Sequence, residues 1–98
     1  MSRGLTAPAG YRWCRSHAGS WHFVRTDELV HQAKPRTTAR SVCGLWAPLP
    51  PAAGGWTEVA ERVTPAPRRL CAACLAAVAA VQRRERTAVP APEQARLL

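Results

Sequence analysis

Apolar residues are thin over the first nineteen positions. Small and polar residues dominate there, broken by Gly4, Pro8, Gly10 and Gly19. The pattern predicts a mobile arm over 1–19. At "SWHFVRT" it changes to alternation, the period of a half-buried strand: Trp21 and Phe23 face one way, His22 and Val24 the other. "DELVHQA" reads as a helical turn or the end of a hairpin arm, and Pro35 stops any helix at "KPR". "TTARSVCGLWAP" reads as a second strand running into a corner at Cys43-Gly44. A long loop is expected over 48–69, with a short helix at "WTEVAERV".

The clearest helix begins near Leu70. Leu70, Cys74, Leu75, Val78 and Val81 fall on one stripe at helical spacing. The alanines between them carry the strongest helix propensity. Arg83, Arg84 and Arg86 complement the dipole of the last turn, and Pro90 and Pro92 stop the helix. A frayed tail is expected over 87–98. The fold class is a small α+β module: a hairpin, a C-terminal helix and disordered tails, with the folded part at 20–86.

Composition adds a difficulty. One Phe, one Tyr and one Met leave Trp13, Trp21, Trp46 and Trp56 to supply most of the large apolar surface, and nine prolines cut the chain into short pieces. Such a core needs a staple, a disulfide or a metal. The opening residues lack the apolar region of a secretory signal, and the apolar run at 70–81 is too short to span a bilayer. The expected location is cytoplasmic, where paired thiols more often bind metal or do redox work than form structural disulfides.

Cys71 and Cys74 stand at the x2 spacing that grips one tetrahedral ion, at a helix start whose amides favour thiolate. An alanine-rich helix can also bury two small cysteines with no chemistry at all. Cys43 is the natural third ligand, because the glycine beside it permits the left-handed backbone a ligand corner needs. The fourth comes from Cys14, His17, His22 or His31. His22 leads: antiparallel pairing of 21–25 with 39–43 would bring it beside Cys43, and Cys3His is a standard closed zinc site. A lone strand histidine is more often solvated than ligating, and His31 is the runner-up. Cys14, in the expected arm, should be dispensable.

"WHFVRTDELV … SVCGLWAP … LCAAC" resembles a family of small bacterial proteins with a domain of unknown function. That family's pattern is His-aromatic-Val, a basic-then-Asp stretch, a Leu-Cys-Gly corner followed by Trp-x-Pro, and Cys-Pro-x-Cys at a terminal helix. His22, Phe23, Val24 and Asp27 match the first block; Cys43, Gly44, Trp46 and Pro48 the second; Cys71 and Cys74 the third. Val42 and Ala72 depart from the pattern, and the stretch from Pro48 to Cys71 is longer than the family's. The resemblance implies a fold like a zinc ribbon and no particular activity.

The net charge of +8 comes almost wholly from arginine, Lys34 being the only lysine. Arginine suits phosphate, but the charge is dispersed, which also fits a GC-rich coding sequence and favours weak affinity for polyanions over sequence-specific reading. The expected function is therefore a non-enzymatic module with a structural Zn2+ at His22, Cys43, Cys71 and Cys74, associated with nucleic acid or regulation. Alternatives are a protein-interaction module, a redox protein using Cys71 and Cys74, and an iron–sulfur protein using Cys14, Cys43, Cys71 and Cys74. No hydrolytic constellation is visible, and Glu58 and Glu61 read as a solvated face.

Overall fold

The computed structural model describes residues 3–88. In chain order the elements are β1 (Leu5–Thr6), β2 (Tyr11–Arg15), β3 (Trp21–Arg25), α1 (Thr26–Leu29), β4 (Val30–His31), β5 (Lys34–Pro35), β6 (Thr38–Arg40), β7 (Trp46–Pro48), β8 (Glu58–Ala60), β9 (Arg62–Val63) and α2 (Ala72–Ala88). They make a small α+β fold of several antiparallel strand sets and one C-terminal helix.

The largest sheet has three strands in the order β3-β2-β8. Its centre is β2, inside the segment expected to be a mobile arm. Tyr11 and Trp13 alternate with Arg12 and Cys14, and the pairing with β3 places Trp13 opposite Phe23 and Cys14 opposite His22. Trp13 and Cys14 are buried. Burial of an indole and a thiol on opposite faces fixes this strand, so the arm reading is corrected. The expected helix at 56–63 is corrected too. Glu58–Ala60 pairs with β2 and Arg62–Val63 with β1, because strand partners distant in sequence satisfy the backbone there. Of the tail placed at 87–98, residues 89–98 lie outside the described residues.

The two faces of the sheet bury separate clusters. On one, Trp13, Trp21 and Phe23 pack with Cys74 and Val78 of α2. The rings of Trp13 and Phe23 lie 4.3 Å apart between centroids. On the other, Cys14 and Val24 pack with Ala39, Leu49 and Trp56. Trp56 donates its indole N–H to the Ala39 carbonyl at 3.0 Å, which removes the polar cost of burying it. The helical stripe is narrower than its spacing predicts: Cys74 and Val78 are buried, while Leu75 is partly exposed.

The expected long strand at 37–48 is a hairpin, β6 against β7, with the Cys43-Gly44 corner inside its turn. Pairing between β3 and this segment is reduced to one antiparallel bridge, Val24 to Ser41, with Val42 N–H donating to the Phe23 carbonyl at 3.0 Å. A parallel bridge joins Trp21 to Leu70 further along the same edge of β3. There Trp21 N–H donates to the Arg69 carbonyl at 2.8 Å and Cys71 N–H to the Trp21 carbonyl at 2.9 Å. Two short segments thus cover the edge of β3 on either side of His22. No helix among the described residues is long and apolar enough to cross a membrane.

Candidate metal centre

His22 lies on β3 between these two segments. The single Val24–Ser41 bridge sets a register in which the next inward pair is His22 and Cys43. The Trp21–Leu70 bridge brings Cys71 to the same place, and the first turn of α2 adds Cys74. Leu75 N–H donates to the Cys71 carbonyl at 3.1 Å, so Cys71 sits at the mouth of the helix and Cys74 within its first turn.

The result is a group of four donors. His22 Nδ1 and the Sγ atoms of Cys43, Cys71 and Cys74 all lie within 4.8 Å of one another. Nδ1 is 3.5 Å from Cys43 Sγ and 3.6 Å from Cys74 Sγ. A tetrahedral zinc ion with Zn–S about 2.3 Å and Zn–N about 2.0 Å holds sulfur and nitrogen about 3.5 Å apart. The donor spacing therefore fits one tetrahedral ion. His22 and Cys74 are buried, Cys71 is half-buried and Cys43 is exposed. The His22 and Trp56 rings meet in a T-shaped contact at 5.4 Å between centroids, which restricts the imidazole plane.

The electrostatics suit ligation. Burial lowers the His22 pKa, so the ring is neutral with a free lone pair. Burial pushes the Cys43 thiol up, but hydrogen bonds from the Ser41 hydroxyl, the Leu45 amide and the Cys74 and Cys71 thiols together outweigh it, and the net shift is downward. Burial pushes the Cys74 thiol up to about 12, so its proton stays until a cation replaces it.

Ser41 is a residue that sequence reasoning missed. It is buried, accepts a hydrogen bond from Leu45 N–H at 3.0 Å and places its Oγ 3.0 Å from Cys43 Sγ. Its hydroxyl can then donate to the thiolate, as outer partners of metal ligands do. A serine two residues before a Cys-Gly corner was the available signal. Gly44 has φ +101°, the left-handed backbone anticipated for the corner, and no heavy atom beyond its chain neighbours lies within 4 Å of where a Cβ would sit. Gly44→Ala is accordingly expected to cost about 1–2 kcal/mol through the backbone alone. Gly44→Asn should lose less, and thermal denaturation of the metal-loaded variants checks both.

The rival ligands are not brought to the site. His31 is exposed on β4, opposite Lys34, and His17 is exposed in the turn after β2. Cys14 is fully buried in the Trp56 cluster and is absent from the four-donor group, so the four-cysteine iron–sulfur set is not assembled. It is not the arm residue the sequence implied. Cys14→Ser is expected to keep the metal yet lose about 1–3 kcal/mol, because a hydroxyl replaces a thiol in an apolar cluster. Burial first, and the nearby Cys74 second, push the Cys14 pKa up to about 12. The folded chain holds that proton from pH 9 to about 12 while the unfolded chain releases it, so alkali favours unfolding through Cys14. Melting temperature above pH 9 should fall less steeply in Cys14→Ala than in the wild type.

The site and fold together define a small α+β protein with a one-His, three-Cys cluster that can bind a metal ion at its sheet edge. No protein-family model, curated protein or solved structure matches the chain.

Proposed function

We propose that the protein is a non-enzymatic module built around one structural zinc ion, held by His22 Nδ1 and the thiolates of Cys43, Cys71 and Cys74, and that it works as a nucleic-acid-associated accessory protein. The observation that carries the metal reading is the set of sulfur–nitrogen distances, 3.5 and 3.6 Å, between donors from three separate segments. Three thiolates and one imidazole favour zinc over the hard cations, which prefer oxygen. With all four positions filled by the protein, the ion has no open place for water, which argues against hydrolysis. Cys71-x2-Cys74 supports ligation better than disulfide exchange, because both thiols are committed to the same cluster and no βαβ unit precedes them among the described residues.

The net charge of +8 supports a polyanionic partner. Metal analysis of the purified protein tests the first half of the reading. One zinc per chain with mainly sulfur neighbours in X-ray absorption is expected. Mainly oxygen and nitrogen neighbours, or folded protein without metal, would remove it. Oligonucleotide binding that weakens steeply with salt tests the second half, and a stoichiometric protein captured with no nucleic acid would favour an interaction module instead.

A further inference from the structure

A cleft of about 260 Å³ lies beside the β6–β7 hairpin, walled by Ser16, His17, Trp46, Ala47, Gly55 and Trp56. Its two indoles are held differently. Trp56 is 1% exposed and anchored to the Ala39 carbonyl, so it is a fixed wall. Trp46 is 63% exposed, more than any other large apolar side chain among the described residues. A lone exposed aliphatic residue needs no explanation, but an exposed indole on the rim of an apolar cleft offers a flat stacking surface.

The charges around the cleft select its occupant. Arg40 stands directly across the hairpin from Trp46 and is exposed. The Ser16–Ser20 turn, which supplies one wall, also has two guanidinium groups beside it, those of Arg15 and Arg69. A Cβ on Gly19 would lie 3.5 Å from Arg69 Nη1 and 3.9 Å from Arg15 Nη2, and Arg69 Nη1 donates to the Ala18 carbonyl at 3.2 Å. Among the described residues no carboxylate or guanidinium lines the cleft itself; Arg40, Arg15 and Arg69 stand around it, and Glu58, directly opposite Arg15 on the neighbouring strand, is likewise outside its walls. An aromatic cage for a cationic ligand needs the opposite sign of field. A planar group carrying flanking negative charge fits.

We propose that this cleft binds single-stranded nucleic acid, with one base stacked on Trp46 and the adjoining phosphates met by Arg40, Arg15 and Arg69. The inference rests on the nucleic-acid reading above and narrows it. Bases inside a duplex cannot present a face to an indole, whereas unpaired bases can, and stacking of this kind tolerates any sequence. This accords with dispersed arginines and no base-reading helix.

The test uses zinc-loaded full-length protein and labelled oligo-dT and oligo-U, with a DNA duplex for comparison, read by fluorescence anisotropy. The single strands should bind more tightly than the duplex. Trp46→Ala should weaken single-strand binding by about tenfold, within the range of one lost stacking contact, while metal content and melting temperature stay unchanged. Trp46→Phe should recover part of the loss. Arg40→Gln should flatten the salt dependence by about 0.7 in log–log slope, whereas Trp46→Ala should leave that slope alone. Undiminished binding by Trp46→Ala overturns the cleft and leaves the nucleic-acid reading standing. A wild-type protein that ignores every oligonucleotide overturns both. Capture of a proline-rich peptide at Trp46 in place of oligonucleotide would assign the cleft to a protein partner and also overturn the proposal.

Discussion

Stripping the metal with a chelator at neutral pH is expected to unfold the protein, a loss on the order of 10 kcal/mol. The apolar core is divided between two small clusters on opposite faces of a three-stranded sheet. Burial of that size leaves little margin over the entropy of ordering the chain. Two ligand-bearing segments meet β3, the edge strand that carries His22, at few points: one bridge holds the hairpin and another holds the approach to α2. The ion would join all of them. Circular dichroism melts with and without chelator measure the effect. Loss of the α2 helical signal at ambient temperature is expected, and an unchanged melting curve would mean that the metal does not hold the fold.

His22→Ala is expected to abolish tight metal binding and lower the melting temperature sharply, whereas His31→Ala changes stability by no more than about 0.5 kcal/mol. The contrast follows from placement. His22 is buried, with Nδ1 among the three sulfurs and its ring against Trp56. His31 is exposed in a two-residue strand and is absent from the four-donor group. Loss of a direct ligand should exceed the about 10–100-fold typical of outer-shell partners such as Ser41. Zinc competition with a chromophoric chelator reads both variants. Retention of affinity by His22→Ala together with its loss in His31→Ala would reverse the assignment.

The donors of this site could be read from sequence because each carries a local signature. Cys71-x2-Cys74 marks a helix mouth, Gly44 marks a left-handed corner, and the alternation around His22 marks a strand. Even the register was accessible, since pairing Val24 with Ser41 leads to His22 beside Cys43. What escaped was whatever depended on distant partners. Tyr11 and Trp13 alternate as a strand should, but Gly10 and Gly19 on either side suggested disorder; both glycines have positive φ and make the turns that flank β2. Trp56, Val59 and Val63 fall at spacings that imitate a helix. The backbone instead pairs with β2 and β1, while Val59 stays partly exposed. Long-range pairing decided both segments, and a single chain read in windows does not contain it.

The two segments that flank His22 also occupy the outer edge of β3. The Trp21 N–H and carbonyl are bonded to Arg69 and Cys71, and the Phe23 carbonyl to Val42, so these segments cover this rim of the sheet against other strands. The closure is only as durable as the cluster that holds those segments in place. Without an ion to hold those segments, the edge of β3 would be left open beside Trp21 and Phe23, two large apolar side chains. A bound metal would then guard the chain against pairing with its own copies, because the unfolding that follows its removal exposes this strand to other chains.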